Sequence, residues 1–287
     1  MKAGALSSVD GRRAAEGRLP TLPGLRADSL VLDAGPGRRP RLDGASIRVD
    51  AGAVAALVGP NGAGKSSLLA ALAGLVRPRA GDVRLDGESV FTFPRARRAR
   101  SIAMVGPWSL PDIDLTVKEV VSLGRLGHRT SVWQDPARAG ADAVANALDR
   151  TDLGGMADLP LRLLSAGERQ RARLAAALAQ GARFLLLDEP TASLDPGHAR
   201  SVLERLVALA RAGHGVAVVL HDLTSAGQYA DVVHVMAGGR VTASGPPAEV
   251  LRAEVLEPVY RTPFQILTHP QSGRPVVVGG FNAAPDA

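Results

Sequence analysis

The chain has 287 residues, of which 46% are hydrophobic, so it can bury a substantial core in one large domain or two small ones. It contains no cysteine, which excludes disulfides, thiolate zinc sites and a cysteine nucleophile. The formal charge of +6 suits an anionic partner, but only 3% of the residues are aromatic, which argues against stacking on nucleic-acid bases. We therefore expect no nucleic-acid partner.

The N-terminal part begins with a polar segment and continues into short strands. Residues 1–24 are rich in Ala, Gly, Arg and Pro without periodicity and lack the apolar stretch of a secretory signal, so we predict a disordered tail. Residues 29–32 and 45–49 are predicted strands separated by turn residues. The apolar run Val54–Val58 is predicted to be a buried strand.

A glycine-rich loop follows that buried strand and fits the pattern G-x-x-x-x-G-K-[ST]. Its residues are Gly59, Pro60, Asn61, Gly62, Ala63, Gly64, Lys65, Ser66 and Ser67. Glycines allow successive N–H groups to converge on a phosphate, and a helix that starts near Lys65 adds its positive dipole end. Lys65 would reach the β- and γ-phosphates and Ser66 would ligate Mg²⁺. The alternative is a glycine-rich turn that binds nothing.

The segment from about residue 94 to 161 is arginine-rich, helical in pattern and punctuated by proline, which predicts an inserted helical subdomain. Thr116 and Glu119 form a capping-box pattern that starts a helix running to about Leu123. Residues 137–148 are predicted to form a second helix. Ser165 and Glu168 form another capping box, which opens a long helix.

Strands and helices then alternate. Residues 184–187 are apolar and end in the carboxylates of Asp188 and Glu189, residues 197–211 are predicted to be helical, and residues 216–220 are a strand that ends at His221. This order predicts a mostly parallel sheet covered on both faces, with ligands at the carboxyl ends of its strands.

Three side chains at those strand ends suit phosphoryl chemistry. Asp188 is placed to hold Mg²⁺ together with Ser66, and Glu189 to orient and polarise an attacking water. His221 can hydrogen-bond the γ-phosphate or that water. Taken singly, an acidic pair in a turn and a structural histidine would be the simpler interpretations, but their order behind a phosphate loop favours the functional one.

Five stretches together resemble the motifs of the ATP-binding subunits of ABC transporters. They are similar to Walker A (59–67), the signature (164–171), Walker B with its catalytic glutamate (185–189), the D-loop (193–195) and the H-loop (221–223). The resemblance implies an α/β fold with a P-loop NTPase (RecA-like) core, a mostly parallel sheet, an N-terminal antiparallel β subdomain and an inserted α-helical subdomain. It also implies an ATPase domain over residues 25–250 and a C-terminal extension over 251–287.

The same resemblance implies partners. Two copies would form a head-to-tail dimer that encloses two ATP molecules, each with Mg²⁺. The signature residues Ser165, Ala166, Gly167 and Glu168 would then act on the ATP bound by the other copy, and Asp195 would belong to the D-loop. The dimer would bind permease subunits at the cytoplasmic face of the membrane, and a periplasmic or extracellular binding protein would take part indirectly.

Further stretches are similar to importers of ferric siderophores, haem and cobalamin. They are residues 114–125, 229–231, 239–241, 245–251, 259–260, 269–270 and 273–275. The expected cargo is therefore of the iron-siderophore, haem or cobalamin type.

Some positions depart from the family's pattern. In the family, a glutamine that contacts Mg²⁺ follows the strand that here comprises residues 102–105, and Pro107 stands in its place. Proline offers neither a side-chain oxygen nor an N–H. Residues 33–35 occupy the place of the aromatic residue that usually stacks on adenine, and Ala166 and Ser67 replace a glycine and a threonine. Since Lys65 and the strand-end residues are present, we expect hydrolysis to survive.

Two other functions fit part of the sequence. A soluble ABC ATPase of DNA repair or translation would suit the positive charge, but such proteins usually carry two cassettes or a long coiled-coil insertion. A degenerate cassette that binds ATP in a regulatory role would suit Pro107.

Overall fold

The computed structural model describes residues 24–35, 37, 39–106, 114–128, 140–192 and 194–280. The predicted tail, apart from Gly24, lies outside this range, as do Pro107, Ser193 of the D-loop and the last seven residues. Gly24 itself is the first residue of a strand.

The described residues up to 106 form six strands and two α-helices. They are β1 (Gly24–Leu32), β2 (Leu42–Asp50), β3 (Val54–Val58), α1 (Lys65–Leu72), β4 (Ala80–Leu85), β5 (Glu88–Ser89), α2 (Arg95–Ser101) and β6 (Ile102–Val105). The predicted strand at 29–32 is the C-terminal part of β1, the one at 45–49 lies within β2, and β3 has the predicted bounds.

The second half alternates strand and helix, and ends in a hairpin. Its elements are α3 (Val117–Leu123), α4 (Ala141–Asp149), α5 (Ala166–Ala179), β7 (Phe184–Asp188), α6 (Pro196–Arg211), β8 (Gly215–Val219), α7 (Leu223–Tyr229), β9 (Val232–Ala237), β10 (Arg240–Gly245), α8 (Pro247–Val250), α9 (Ala253–Tyr260), β11 (Phe264–Thr268) and β12 (Pro275–Gly279).

The strands form two large sheets and a hairpin. The N-terminal sheet is antiparallel, with the order β2-β1-β4-β5. The central sheet has the order β10-β9-β3-β8-β7-β6, and all its pairs are parallel except that of β10 with β9. Among the described strands, β11 and β12 pair only with each other. The predicted fold class is confirmed, with the antiparallel sheet at the N-terminal side of a mostly parallel core.

Apolar packing covers both faces of the central sheet. One core layer lies between the two sheets and includes Leu57, Leu68 and Leu186; the other lies under α5, α6 and α7 and includes Val58, Leu187 and Leu206. All residues of β3, β7 and β8 are buried, as expected of parallel strands with helices on both sides.

The helical subdomain has its own core, formed by α3, α4 and α5 around Val121, Leu148 and Ala175. Both predicted capping boxes are present, at Thr116 with Glu119 and at Ser165 with Glu168. Although the predicted insertion starts at about residue 94, β6 lies in the central sheet beside β7, so the segment contributes a strand to the core before its helices begin. No helix in the parts of the chain that the structure describes is long and apolar enough to cross a membrane.

Candidate nucleotide-binding and hydrolysis site

Three neighbouring strands bring the predicted site residues to one edge of the central sheet. In the order β3-β8-β7, the glycine-rich loop follows β3, His221 follows β8, and Asp188 and Glu189 lie at the end of β7. Because these strands are parallel, their carboxyl ends meet at the same edge. The structure thus places the loop, the acidic pair and the histidine side by side.

The loop needs glycine at two positions where the backbone of another segment approaches closely. Gly59 has φ +147°, and a Cβ there would lie 2.2 Å from the Met236 carbonyl oxygen. Gly64 has φ +102°, and a Cβ there would lie 2.5 Å from the Arg41 carbonyl oxygen. Any side chain at these positions would displace the loop from β2 or β9.

Lys65 is buried at the start of α1, with 6% of its surface exposed. Its Nζ donates hydrogen bonds to the carbonyl oxygens of Gly59, at 2.7 Å, and Pro60, at 3.0 Å. Burial lowers the pKa of the ammonium, and the nearby carboxylates of Glu189 and Asp188 oppose that shift. The two carbonyls therefore fix the direction of the Lys65 side chain inside the loop.

The loop surrounds a cavity of about 300 Å³. Its lining comprises Arg41, Asn61, Gly62, Ala63, Gly64, Lys65, Ser66, Ser67 and Glu189. Backbone amides, a lysine and a helix N-terminus converge on this space, which is the arrangement that binds phosphate groups. Arg41 was not predicted as a site residue; the only signal for it is its position in an arginine-rich run just before β2.

Asp188 fits the metal that this loop pattern implies. Its side chain is 4% exposed, and its Oδ1 is buried without a hydrogen-bond partner among the described residues. Burial raises the pKa of this carboxyl, while a hydrogen bond with Ser66 and the charge of Lys65 act in the opposite direction. A buried oxygen without a partner beside the Ser66 hydroxyl suits Mg²⁺, which takes few protein ligands and completes its octahedron with phosphate and water.

Glu189 and His221 form a pair at the rim of the cavity. His221 Nε2 lies 2.7 Å from Glu189 Oε1, and both side chains are partly exposed. Glu189 has φ +52°, a left-handed conformation that is uncommon outside glycine and is often found at functional sites. This conformation turns the carboxylate from the end of β7 towards the cavity and the histidine.

The residues of the predicted signature lie on a different surface. Ser165 and Ala166 are exposed at the start of α5, where Ser165 Oγ accepts from the Glu168 amide at 3.3 Å and Glu168 Oε2 accepts from the Ser165 amide at 2.7 Å. Hydrogen bonds with the backbone and side chain of Ser165 lower the pKa of Glu168. None of the four predicted signature residues, Ser165, Ala166, Gly167 and Glu168, is among the described residues that line the cavity.

The predicted D-loop residue Asp195 is the N-cap of α6 and lies next to the signature helix. It accepts a hydrogen bond from the His198 amide at 3.0 Å, and its carboxylate also pairs with the His198 ring. That ring packs on Gly167, where a Cβ would lie 2.9 Å from His198 Cδ2. Asp195 and the signature therefore share one surface patch of the chain.

Comparison with known proteins decides the family. A profile of the family described as ABC transporter matches residues 42–192, which is more than half of the chain. The chain belongs to the ABC transporter family. This chain therefore contains the ATP-binding cassette of that family and is an ATPase of this type, as its sequence motifs predict.

Curated relatives extend the match over nearly the whole chain. The hemin import ATP-binding protein HmuV of Streptomyces coelicolor is 46% identical over 84% of this chain and 85% of its own length. The ferric enterobactin transport ATP-binding protein FepC of Escherichia coli is 36% identical over 91% of this chain and 96% of its own. The predicted resemblance to the siderophore and haem importer group is confirmed.

Solved structures agree on the fold. A structure of cbiO1 from Clostridium perfringens, part of the ABC transporter complex cbiONQ, is 30% identical with a TM-score of 0.69, and covers 81% of this chain and 92% of that one. A nucleotide-free ATP-binding cassette from an ABC transporter has a TM-score of 0.71 at 23% identity, and covers 84% of this chain and 96% of that one.

Proposed function

We propose that this chain powers an importer of haem or a related iron chelate by hydrolysing ATP as a head-to-tail dimer on membrane permease subunits at the cytoplasmic face. The observation that carries the proposal is the contact of Glu189 with His221 at the rim of the cavity that the glycine-rich loop lines. The names of the relatives HmuV and FepC support the cargo class.

Each side chain of the site would have a different role in hydrolysis. Lys65, held by two carbonyls, would donate to the terminal phosphates, and the loop amides would bind the remaining phosphate oxygens. Ser66 and Asp188 would hold Mg²⁺, which neutralises charge on the phosphates when it is bound. Glu189 would accept a hydrogen bond from the attacking water, and His221 would keep that carboxylate oriented.

The second copy of the chain would complete the site. Ser165 and the first amides of α5 form an exposed helix N-terminus, which attracts anions, and it lies away from the chain's own phosphate cavity. An ATP bound by one copy would then contact this helix end of the other. The adjacent Asp195 would lie in the same interface.

Mixed dimers test this arrangement. Lys65→Ala disables the phosphate loop and Ser165→Arg blocks the signature, so each variant alone is expected to lose hydrolysis. A dimer with one copy of each retains one intact composite site, so phosphate release should recover to about half of the wild-type rate. Failure of the mixture to recover any activity, with dimers shown to form, would contradict the head-to-tail proposal.

Cargo and coupling need the permease. The chain should be found in the membrane fraction with a co-purifying permease, and haem should stimulate phosphate release in vesicles that also contain the binding protein. Ferric siderophore and cobalamin serve as the alternative cargoes in the same assay.

A chain that stays soluble without a permease would favour a non-transport ABC ATPase. A chain that binds ATP, and whose phosphate release does not exceed that of Glu189→Gln, would favour a regulatory cassette.

A further inference from the structure

The C-terminal hairpin of β11 and β12 packs on α7, the helix that begins just after His221. None of the five predicted motifs includes the hairpin, and it lies outside the matched family profile. Its contacts with α7 occur at the C-terminal end and along one side of the helix.

Arg274, in the turn before β12, holds the C-terminal end of α7. Its Nη1 lies within hydrogen-bonding distance of three backbone carbonyl oxygens, those of Gly227 at 3.2 Å, Gln228 at 2.8 Å and Ala230 at 2.9 Å. Gly227 and Gln228 are in the last turn of α7, where carbonyls lack partners within the helix. A guanidinium at this end also complements the negative end of the helix dipole.

Two more contacts fix the side of α7 against β12. Thr224 Oγ1 donates to the Val277 carbonyl oxygen and accepts from the Val277 amide, both at 3.0 Å. Gly227 lies so close to the hairpin that a Cβ there would be 2.6 Å from the Pro275 carbonyl oxygen. The hairpin thus determines both the axial position and the rotation of this short helix.

The other end of α7 leads directly into the catalytic site. Asp222 caps the helix by accepting from the amides of Thr224, at 3.1 Å, and Ser225, at 3.0 Å. His221 precedes this cap and lies 2.7 Å from Glu189. Because α7 has only seven residues, a displacement at its C-terminal end would move the cap and His221 with it.

We propose that the C-terminal hairpin is a positioning element for ATP hydrolysis, in which Arg274 fixes α7 and, through it, His221 against Glu189. The inference rests on hydrolysis at this site, as proposed above. Arg274 does not touch the nucleotide site; it acts through α7. A hairpin that only stabilised the fold would change the unfolding midpoint and leave kcat unaltered.

The test compares Arg274→Ala with two matched variants of the full-length protein. Arg274→Lys keeps a cation with three donors, and Arg252→Ala removes an arginine of the same extension that donates to the Glu249 carbonyl. We expect Arg274→Ala to lower kcat about tenfold while KM for ATP changes less than about twofold. Arg274→Lys should restore most of kcat, and Arg252→Ala should behave as the wild type.

A double-mutant cycle then asks whether Arg274 acts through His221. In a His221→Ala background, Arg274→Ala should cause little further loss, because the side chain that it positions is already gone. An equal loss in both backgrounds would overturn the proposal, as would a wild-type kcat for Arg274→Ala.

A variant with a smaller change keeps the test decisive if Arg274→Ala does not fold. Thr224→Val removes only the hydroxyl that pairs with Val277, and it should lower kcat in the same direction. An unchanged kcat for this variant would then overturn the proposal. Absence of phosphate release by the wild type would instead contradict the proposed function itself, so the two failures are distinguishable.

Discussion

Glu189 Oε1 and His221 Nε2 lie 2.7 Å apart, although the two residues follow different strands of the central sheet. This contact makes the pair the centre of the proposed hydrolysis.

Glu189→Gln keeps the size of the side chain but removes the carboxylate that would accept a hydrogen bond from water. We expect phosphate release to fall by about 100-fold or more, with ATP binding retained. His221→Ala should give a similar fall in kcat, because Glu189 loses the group that orients it. Phosphate release measured beside nucleotide binding checks both variants, and loss of ATP binding by Glu189→Gln would contradict the assigned role.

Asp188→Asn tests the metal site through stability as well as activity. Burial raises the pKa of Asp188 in the folded chain above its value in the unfolded chain. The protonated carboxyl therefore contributes to stability at low pH, and this contribution is lost as the pH rises through the folded pKa. Above the folded pKa the ionised, buried carboxylate therefore opposes folding. Asp188→Asn should raise the unfolding midpoint by about 2 °C or more while it abolishes Mg²⁺-dependent nucleotide binding.

The control for this variant is Asp158→Asn, which changes an exposed carboxylate. It should alter neither the midpoint nor the Mg²⁺ dependence. A lower midpoint for Asp188→Asn would show that the carboxylate stabilises the fold, contrary to the prediction.

Gly59→Ala should destabilise the chain strongly, because its Cβ would lie 2.2 Å from the Met236 carbonyl oxygen at a positive φ. We expect a loss of about 3 kcal/mol or more in the free energy of unfolding, measured by urea titration. Gly213→Ala is the matched control, since it also has a positive φ but has no atom within 4 Å of the added carbon. It should cost only about 1 kcal/mol. Equal losses in the free energy of unfolding for the two variants would show that backbone strain, not the contact with Met236, causes the destabilisation.

Tyr260 links the C-terminal extension to the phosphate loop and predicts an alkaline pH dependence. Burial raises its pKa to about 12, against a hydrogen bond with the Gly59 backbone. Between pH 10 and about 12 the unfolded chain loses the phenolic proton while the folded chain keeps it, so stability falls as the pH rises through this window. Tyr260→Phe should lose less stability across this pH window than the wild type, whereas Tyr229→Phe should lose as much as the wild type. Unfolding midpoints across the window provide the measurement.

Pro107 lies outside the described residues, so its variant is predicted from sequence alone. Restoring the family's glutamine with Pro107→Gln should raise the rate of phosphate release or tighten its coupling to cargo, because the side chain regains a ligand for Mg²⁺. No change in either quantity would refute the hypothesis.

Local patterns could be predicted well because their physical causes are local. The capping boxes at Thr116 and Ser165 depend on a partner three residues away, and the apolar run of β3 needs only its own sequence. The parallel sheet also predicted that Asp188, Glu189 and His221 lie at one edge.

Other features depend on contacts between distant segments. The local pattern of residues 94–161 predicts helices, and the strand at residues 102–105 is expected only from the family resemblance; its pairing with β7 places it in the central sheet. Arg274 contacts the carbonyls at the end of α7 only because β12 folds back onto that helix, and no local pattern in residues 264–280 predicts that contact. The contact of Tyr260 with Gly59 also joins residues far apart in the sequence, so no local pattern predicts it.

The strand order gives the site a property that none of its residues has alone. β8 lies between β3 and β7, so the backbones of the strands that lead to the phosphate loop and to Glu189 are two strand spacings apart, about 9.6 Å. Side chains span this distance, because Glu189 lines the same cavity as the loop and Asp188 forms a hydrogen bond with Ser66. One bound phosphate group can therefore meet residues of both strands, and a different strand order would separate them.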